Sequence, residues 1–225
     1  MPEEAKEVWK QVDQYFVDAL IAPSERFDFA LEVNRKAELP AIDVTSLQGK
    51  FLEVLVRGTS SKRILEIGTL GGYSTLWLAR AIPDDGIVMT LELEPHHAQI
   101  AKQNLEAAGF ADRIDLRIGP AADTLAALVK EHAAAFDFIF IDADKASYPE
   151  YLQWCLKLSR PGTLIFADNV VRDGKVIDGG HRDPNIQGVR RFTEMVSAEP
   201  RLSATALQTV AGKGYDGFII AVVLH

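Results

Sequence analysis

The sequence predicts an α/β fold: a doubly wound, mostly parallel sheet with helices on both faces, helices at the N-terminus and an antiparallel hairpin at the C-terminus. Three observations carry this expectation. From Arg63 to Asp168, short apolar runs alternate with stretches of helical periodicity, the βαβαβ pattern. Two of the runs, FIFID and LIFAD, are continuous and rich in Ile and Phe, as in strands buried on both faces. Near the C-terminus, two consecutive strand-like runs flank a Gly-rich turn.

Taken in order, the N-terminal segment Glu3–Ile21 has Val8, Val12, Tyr15 or Phe16, Ala19 and Leu20 at helical spacing, and Pro23 stops it. A second helical stretch spans about Glu25–Leu39 and ends at Pro40. Thr45 caps a third helix that runs to about Arg57, with Phe51, Leu52, Leu55 and Val56 directed inward. Strands fit at Arg63–Ile67, Ile87–Glu92, Ile114–Ile118, Phe138–Asp142 and Thr163–Asp168. Helices lie between them at about Ser74–Ala81, Pro95–Ala108, Asp123–Ala133 and Tyr148–Leu158. Leu202–Val210 and Gly217–Leu224, joined by AGKGYDG, add a hairpin and bring the sheet to seven strands. Val171–Gly188, rich in Gly, Asp and Arg, reads as a loop. No repeat, linker or low-complexity tract interrupts the chain. One domain over 1–225 is expected, with a helical cap over 1–60 and the sheet core over 61–225.

Composition narrows the function classes. The 225 residues are 48% hydrophobic and 25% charged, as in globular proteins. A formal charge of −8 argues against nucleic acid as the main partner, since phosphate binding needs clustered Lys and Arg. No apolar run approaches the ~20 residues of a membrane helix, and the charged start MPEEAKEVWKQ lacks a signal-peptide core. A cytoplasmic protein without a membrane partner is expected. The single cysteine, Cys155 in YLQWCLKL, excludes an internal disulfide and reads as a buried thiol. Trp9, Trp77 and Trp154 occupy helical positions suited to core or interface.

The chemistry concentrates at strand ends, where ligand crevices of open α/β sheets lie. One apolar run delivers Asp142 and Asp144, and another delivers Asp168 and Asn169. Asp142, Asp168 and Asn169 make an all-oxygen set suited to Mg²⁺, Mn²⁺ or Ca²⁺; Asp after a strand also serves ordinary loops and caps. The first strand opens into Glu66-Ile67-Gly68-Thr69-Leu70-Gly71-Gly72-Tyr73-Ser74, a turn that lets a ligand approach backbone amides. Its G-x-x-G-G spacing departs from the dinucleotide fingerprint. Glu92, 24 residues after Gly68, can accept the two hydroxyls of a ribose. The turn around Gly119, Pro120, Ala121 and Ala122 either admits an adenine ring or is simply capped by Asp123. His96, His97, His132 and His225 lack metal-ligand spacing and read as surface or cap residues. Arg172, Lys175, His181 and Arg182 offer charge for an acidic substrate tail, or a solvated loop.

The runs RILEIGTLGGYSTLWLARA, TLELEP, FDFIFIDADKASYPEY and LIFADNVV, in this order, resemble the metal-dependent class I O-methyltransferases of the caffeoyl-CoA and catechol O-methyltransferase family, most closely its bacterial members. The resemblance covers about Ile42 to Val223 and implies a Rossmann-like fold, S-adenosylmethionine as methyl donor and a divalent cation, usually Mg²⁺. By position it implies Asp142, Asp168 and Asn169 as metal ligands and Glu92 as the ribose acid. Glu66, Gly68 and Ser74 would line the methionine end, with Asp43 and Val44 in the segment that closes over the cofactor. Ala121 and Ala122 fall at the adenine, and Asp142 and Ala143 lie beside the cofactor. Lys145 matches the general base, which must be neutral to take a proton, while Asp144 is expected to point elsewhere or to assist the metal shell. An aromatic diol chelating the cation is the implied acceptor, free or as a hydroxycinnamoyl-CoA or flavonoid, and a homodimer is implied through the N-terminal helices. Leu70 departs from the aromatic residue of the mammalian catechol enzyme. Two other readings share the strand-end acid: a nicotinamide-dependent oxidoreductase, which leaves Asp142, Asp168 and Asn169 unexplained, and a non-catalytic nucleotide-binding protein.

Overall fold

The computed structural model describes residues 3–225. Seven strands form one sheet in the order β3-β2-β1-β4-β5-β7-β6, where β1 is Arg63–Ile67, β2 Ile87–Glu92, β3 Ile114–Ile118, β4 Phe136–Ile141, β5 Ser159–Asp168, β6 Leu202–Ala211 and β7 Gly214–Val223. The first five in that order run parallel, and β7 lies antiparallel to both β5 and β6. This is the mostly parallel seven-stranded architecture that the sequence predicts, and β1, β2 and β3 have the expected bounds.

Alternation along each strand explains why both faces are covered. In β4, Phe136, Ile139 and Ile141 join one apolar layer with Leu125, Leu128, Leu152, Cys155 and Phe192. Phe138 and Phe140 point the other way, into a layer with Leu52, Val56, Leu76, Trp77 and Leu105. The first layer is built by the helices α6 (Ala121–Lys130), α7 (Tyr148–Lys157) and α8 (Pro184–Ala198). The second is built by α3 (Ser46–Gly58), α4 (Tyr73–Ala81) and α5 (Pro95–Ala107). Buried on both sides, the central strands are mostly apolar, and the polar Glu66 and Thr90 within them are buried too.

Local chemistry sets the ends. Thr45 caps α3 in a full capping box: its hydroxyl accepts from Gln48 N at 3.1 Å, and Gln48 Oε1 accepts from Thr45 N at 2.9 Å. Cys155 is buried, as expected. Trp77 is fully buried.

Several expectations are corrected. Val171–Gly188 is not a loop throughout: it holds a 3₁₀ turn at Lys175–Ile177 and enters α8 after Asp183, whose carboxylate accepts from Asn185 N at 2.8 Å ahead of the N1 proline. Ile186, Val189, Phe192 and Val196 supply its buried face. The stretch expected as one helix over Glu25–Leu39 is a short 3₁₀ turn at Pro23–Glu25 followed by α2 (Asp28–Lys36). Phe27 between them is left-handed, with φ 54°, and its ring packs against Trp77 and Phe110 at 5.5 and 6.2 Å. Tertiary packing therefore overrides helix periodicity there. β5 begins at Ser159 rather than Thr163, because the register slips between Phe136 and Phe138 to absorb Arg160, Pro161 and Gly162. The hairpin turn is only Gly212 and Lys213, since Ala211 pairs with Gly214. Phe51 stays exposed at its rim contacts with Phe166 and Phe218, instead of facing fully inward. On α1 (Glu3–Leu20), Val8, Val12, Tyr15, Phe16 and Leu20 are exposed.

α3 crosses α4 closely enough that a Cβ on Gly49 would overlap the buried Trp77 indole. Gly49→Ala is expected to cost about 1–3 kcal/mol by overpacking and to lower Tm by roughly 2–4 °C per kcal/mol. A thermal melt with unchanged Tm would contradict this contact.

Candidate active site

In this strand order, the chain runs from β1 outward through β2 to β3 and then crosses back to β4 on the other side of β1, so the crevice opens beyond the carboxyl ends of β1 and β4. A cleft of about 820 Å³ lies there. Register brings its walls together: Ile67 pairs with Leu91 on one side and Ile141 on the other, and Ile141 pairs with Ala167. The next residues, Gly68, Glu92, Asp142 and Asp168, therefore share one rim.

Gly68 holds φ 102°, and a Cβ there would overlap the carbonyl oxygen of Asp142. The glycine lets the turn after β1 lie directly on the residue after β4. Glu92 organises the same turn. One carboxylate oxygen accepts from Thr69 N and Leu70 N at 3.2 and 2.7 Å, and the other from Glu94 N at 2.9 Å. His97 Nδ1 lies 3.4 Å from that second oxygen.

Glu66 differs from the expectation. It is fully buried beneath the turn and does not line the cleft. Its oxygens accept from Ser74 Oγ at 2.6 Å, Thr75 Oγ1 at 2.5 Å and Thr90 Oγ1 at 2.7 Å. Burial pushes its carboxyl up to about 7, against the pull of the three hydroxyls.

At the far end, Asp142 and Asp168 face each other from neighbouring strand ends. Asp168, 4% exposed, accepts from Asn169 N at 2.8 Å and lies 3.4 Å from Gln48 Nε2. Burial and the adjacent Asp142 charge raise its carboxyl above the ordinary range. Asn169 adopts φ 57°, a conformation Asn tolerates better than most residues. Lys145 Nζ donates to Asp142 Oδ1 at 2.8 Å. Asp144 turns away: Ser147 Oγ and Tyr151 OH donate to it at 2.5 and 2.7 Å, so it neither neutralises Lys145 nor joins Asp142. Tyr148 OH, fully buried, lies 3.0 Å from Ile141 O and 2.9 Å from Asp168 O, and bridges the two strand ends.

Val44, Gly68, Ser74, Glu92, Ala121, Asp142, Lys145 and Asn169 thus line one cleft, joined by Asp43, Ala122 and Ala143. Asp168 sits just behind it. Of Arg172, Lys175, His181 and Arg182, only Arg172 reaches the lining, and His181 instead accepts from Asp183 N at 3.2 Å. His97, expected as a surface or cap residue, is a lining residue, as are Tyr151 and Asn185, which the sequence does not single out. Tyr151 stands one turn after Tyr148 on α7, and Asn185 follows the Asp-Pro cap of α8; those helix patterns were the available signals.

The raised Glu66 carboxyl has a consequence for stability. Between its ordinary 4.5 and about 7, the folded protein holds a proton that the unfolded chain has released. Its contribution is complete below pH 4.5 and is lost as pH rises through 7, at up to about 1.4 kcal/mol per pH unit. Urea denaturation of Glu66→Gln should show a flatter decline over that window than the parent; identical slopes would refute the assignment.

Comparison with known proteins agrees with this geometry. A family model described as O-methyltransferase matches residues 25–218. A catechol O-methyltransferase of Niastella koreensis is 48% identical over 96% of this chain and 98% of its own. The O-methyltransferase from Bacillus cereus, solved in complex with SAH, is 56% identical with a TM-score of 0.95, covering 97% of this chain and 99% of that one. TomG from Streptomyces achromogenes, an O-methyltransferase involved in tomaymycin synthesis and solved with SAM, is 45% identical with a TM-score of 0.94 over the whole of both chains. Strand order, glycine turn and these matches agree, and the chain belongs to the O-methyltransferase family.

Proposed function

We propose that this single-domain protein transfers a methyl group from S-adenosylmethionine to one hydroxyl of an aromatic diol, with a divalent cation held by Asp142, Asp168 and Asn169. The observation that carries the reading is the meeting of the two half-sites: the glycine turn rests on the Asp142 carbonyl in one cleft. Solved relatives bound to SAH and SAM, and a relative named catechol O-methyltransferase, support the donor and the acceptor class.

The residues fit a hard cation. Two carboxylates stand side by side with one ammonium, Lys145, paired to Asp142, while burial and the Asp142 charge hold the Asp168 carboxyl above its ordinary range. With the Asn169 amide oxygen they form an all-oxygen set. Among the described residues no group of three or more His, Cys, Asp and Glu side chains could hold a metal, so the set depends on Asn169 as third ligand. When bound, the cation supplies acidity to a coordinated hydroxyl and fixes its position.

The chain's own groups do the rest. Glu92 holds the glycine turn and offers carboxylate edges toward the ribose. Ala121 and Ala122 leave room for the flat base, and Val44 covers the donor from the opposite side. Ser74 is held by Glu66 at the methionine end. Lys145 Nζ, beside Asp142, takes the proton from the attacking hydroxyl once neutral. Transfer from a sulfonium to an oxyanion destroys charge, so an apolar, water-poor cleft favours it.

The exposed apolar residues of α1, with Val8, Val12 and Tyr15 along one stripe, support a homodimer; sedimentation of the purified protein checks it.

Methyl transfer from labelled donor to a panel of catechols, flavonoids, hydroxycinnamates and their CoA esters tests the function. EDTA is expected to abolish turnover, and added Mg²⁺ to restore it; turnover that survives EDTA would reject the metal reading. Calorimetry should show binding of S-adenosylhomocysteine and none of NAD, which separates the oxidoreductase reading. Lys145→Ala is expected to lower kcat about 100-fold or more while S-adenosylhomocysteine affinity stays unchanged. Unaltered turnover would remove Lys145 as the base.

A further inference from the structure

Two asparagines that belong to none of the motifs link the glycine turn to the opposite wall of the cleft. Asn34 on α2 and Asn104 on α5 are 2% and 1% exposed. Asn104 Nδ2 donates to Gly71 O at 2.8 Å and to Asn34 Oδ1 at 2.9 Å. Asn34 Nδ2 donates onward to Asp43 Oδ1 at 2.9 Å. Asp43 lines the cleft beside Val44, and its backbone carbonyl accepts from Lys213 Nζ at the tip of the β6–β7 hairpin. At the other end of the same segment, His96 Nε2 lies 3.1 Å from Ala37 O.

The relay has a direction. Both amide protons of Asn104 are used, and Asn34 accepts on one side and donates on the other, so the chain must end on an acceptor, Asp43. Gly71 is part of the device, because a Cβ there would overlap the Asn34 amide. Buried amides left unpaired are costly, so the network has one satisfied arrangement and resists partial opening. Segment 37–45 is therefore tied to the glycine turn across the donor half of the cleft, although it has no regular structure of its own over most of its length.

We propose that Asn34 and Asn104 are positioning residues for the methyl donor: they lock segment 37–45 to the glycine turn and keep the two donor walls at a fixed separation, with Lys213 as an outer latch. This goes beyond the proposed reaction and rests on the reading that the donor lies over the glycine turn. A wall that is already in place spares the ligand the entropy of ordering it, so the relay acts on donor affinity and release rather than on the chemical step.

The test is S-adenosylhomocysteine binding and release on the full chain. Asn34→Asp keeps size and the acceptor oxygen, loses the donor, and sets a carboxylate against Asp43. It is expected to weaken S-adenosylhomocysteine about tenfold or more, chiefly through faster release, with kcat at saturating donor unchanged. Adding Asp43→Asn lets the bond re-form in reverse, from an amide at position 43 to a carboxylate at 34. That double variant should recover to within about threefold of Asp43→Asn alone. A lower Tm with unchanged affinity for Asn34→Asp, or a double variant no better than Asn34→Asp, would reduce the pair to scaffolding and overturn the proposal. If Asn34→Asp fails to fold, Lys213→Ala at the exposed hairpin tip decides: faster release supports the latch, and an unchanged rate overturns it. Glu92→Gln distinguishes the two readings. If it too leaves affinity unchanged, the donor placement itself is wrong; if it alone weakens binding, only the relay fails.

Discussion

The structure depends on bringing two carboxylates, Asp142 and Asp168, to neighbouring strand ends and keeping them there. Parallel pairing of β4 with β5 in the register Ile141 to Ala167 makes them adjacent. A slip of one residue would turn every Phe and Ile of β4 toward the wrong layer, so burial on both faces enforces the register. Tyr148 adds a direct tie between the carbonyls of Ile141 and Asp168. Burial and the charges of Asp142 and Asp168 raise its phenol well above the ordinary value, which keeps it a hydrogen-bond donor. Lys145 meets the remaining charge from the next turn. Its backbone is fixed in turn by α8, which approaches so closely that a Cβ on Gly188 would overlap the Lys145 carbonyl. The helix that the sequence reading missed therefore holds the proposed base in place.

The proposed donor side inherits its position from the same constraint. Gly68 touches the Asp142 carbonyl, so the turn after β1 is set against the end of β4. Glu92 gathers the amides of that turn from above, and Glu66 gathers three hydroxyls from below. Glu92 acts on the backbone that forms the cleft floor, and Glu66 on the hydroxyl side chains beneath it. Glu66 does so entirely from within the core, and its burial is reflected in its raised carboxyl. Its neighbourhood in sequence to Gly68 makes it look like a ligand-facing residue, while the alternation of β1 sends its side chain under the turn.

This difference shows where the sequence is readable. Strands β1, β2 and β3, the cap at Thr45 and the strand-end acids rest on local patterns, and local patterns are what a sequence displays. The proposed metal set and the glycine turn are legible for the same reason: each lies on a few consecutive residues. What was hidden depends on contacts between distant segments. Phe27 leaves helical geometry to reach Trp77 and Phe110. The start of β5 is displaced because Pro161 and Gly162 bulge out of the ladder. His97 becomes a cleft residue only because α5 begins beside Glu92. The Asn34–Asn104 pair, 70 residues apart, has no sequence signature at all.

The two halves of the cleft therefore differ in how freely they can change. The half around the glycine turn, the proposed donor side, is made of backbone amides, glycines and small side chains whose positions follow from the central sheet, so substitutions there propagate into the core. The opposite half is assembled from Ser147 and Tyr151 near α7, Arg172 in the segment after β5, and Asn185 at the start of α8. None of these side chains bonds to Glu66 or Glu92. Asp216 accepts from the backbone amides of Val171 and Arg172 at 2.9 Å each, so the main chain beside Arg172 is fixed independently of what its side chain contacts in the cleft. Changes at Ser147, Tyr151, the 171–183 segment and the first turn of α8 are thus open to the fold so long as Tyr148 keeps its tie between the strand ends. Such a separation would let one fold serve acceptors as different as those in its relatives' names, catechol and caffeoyl-CoA among them.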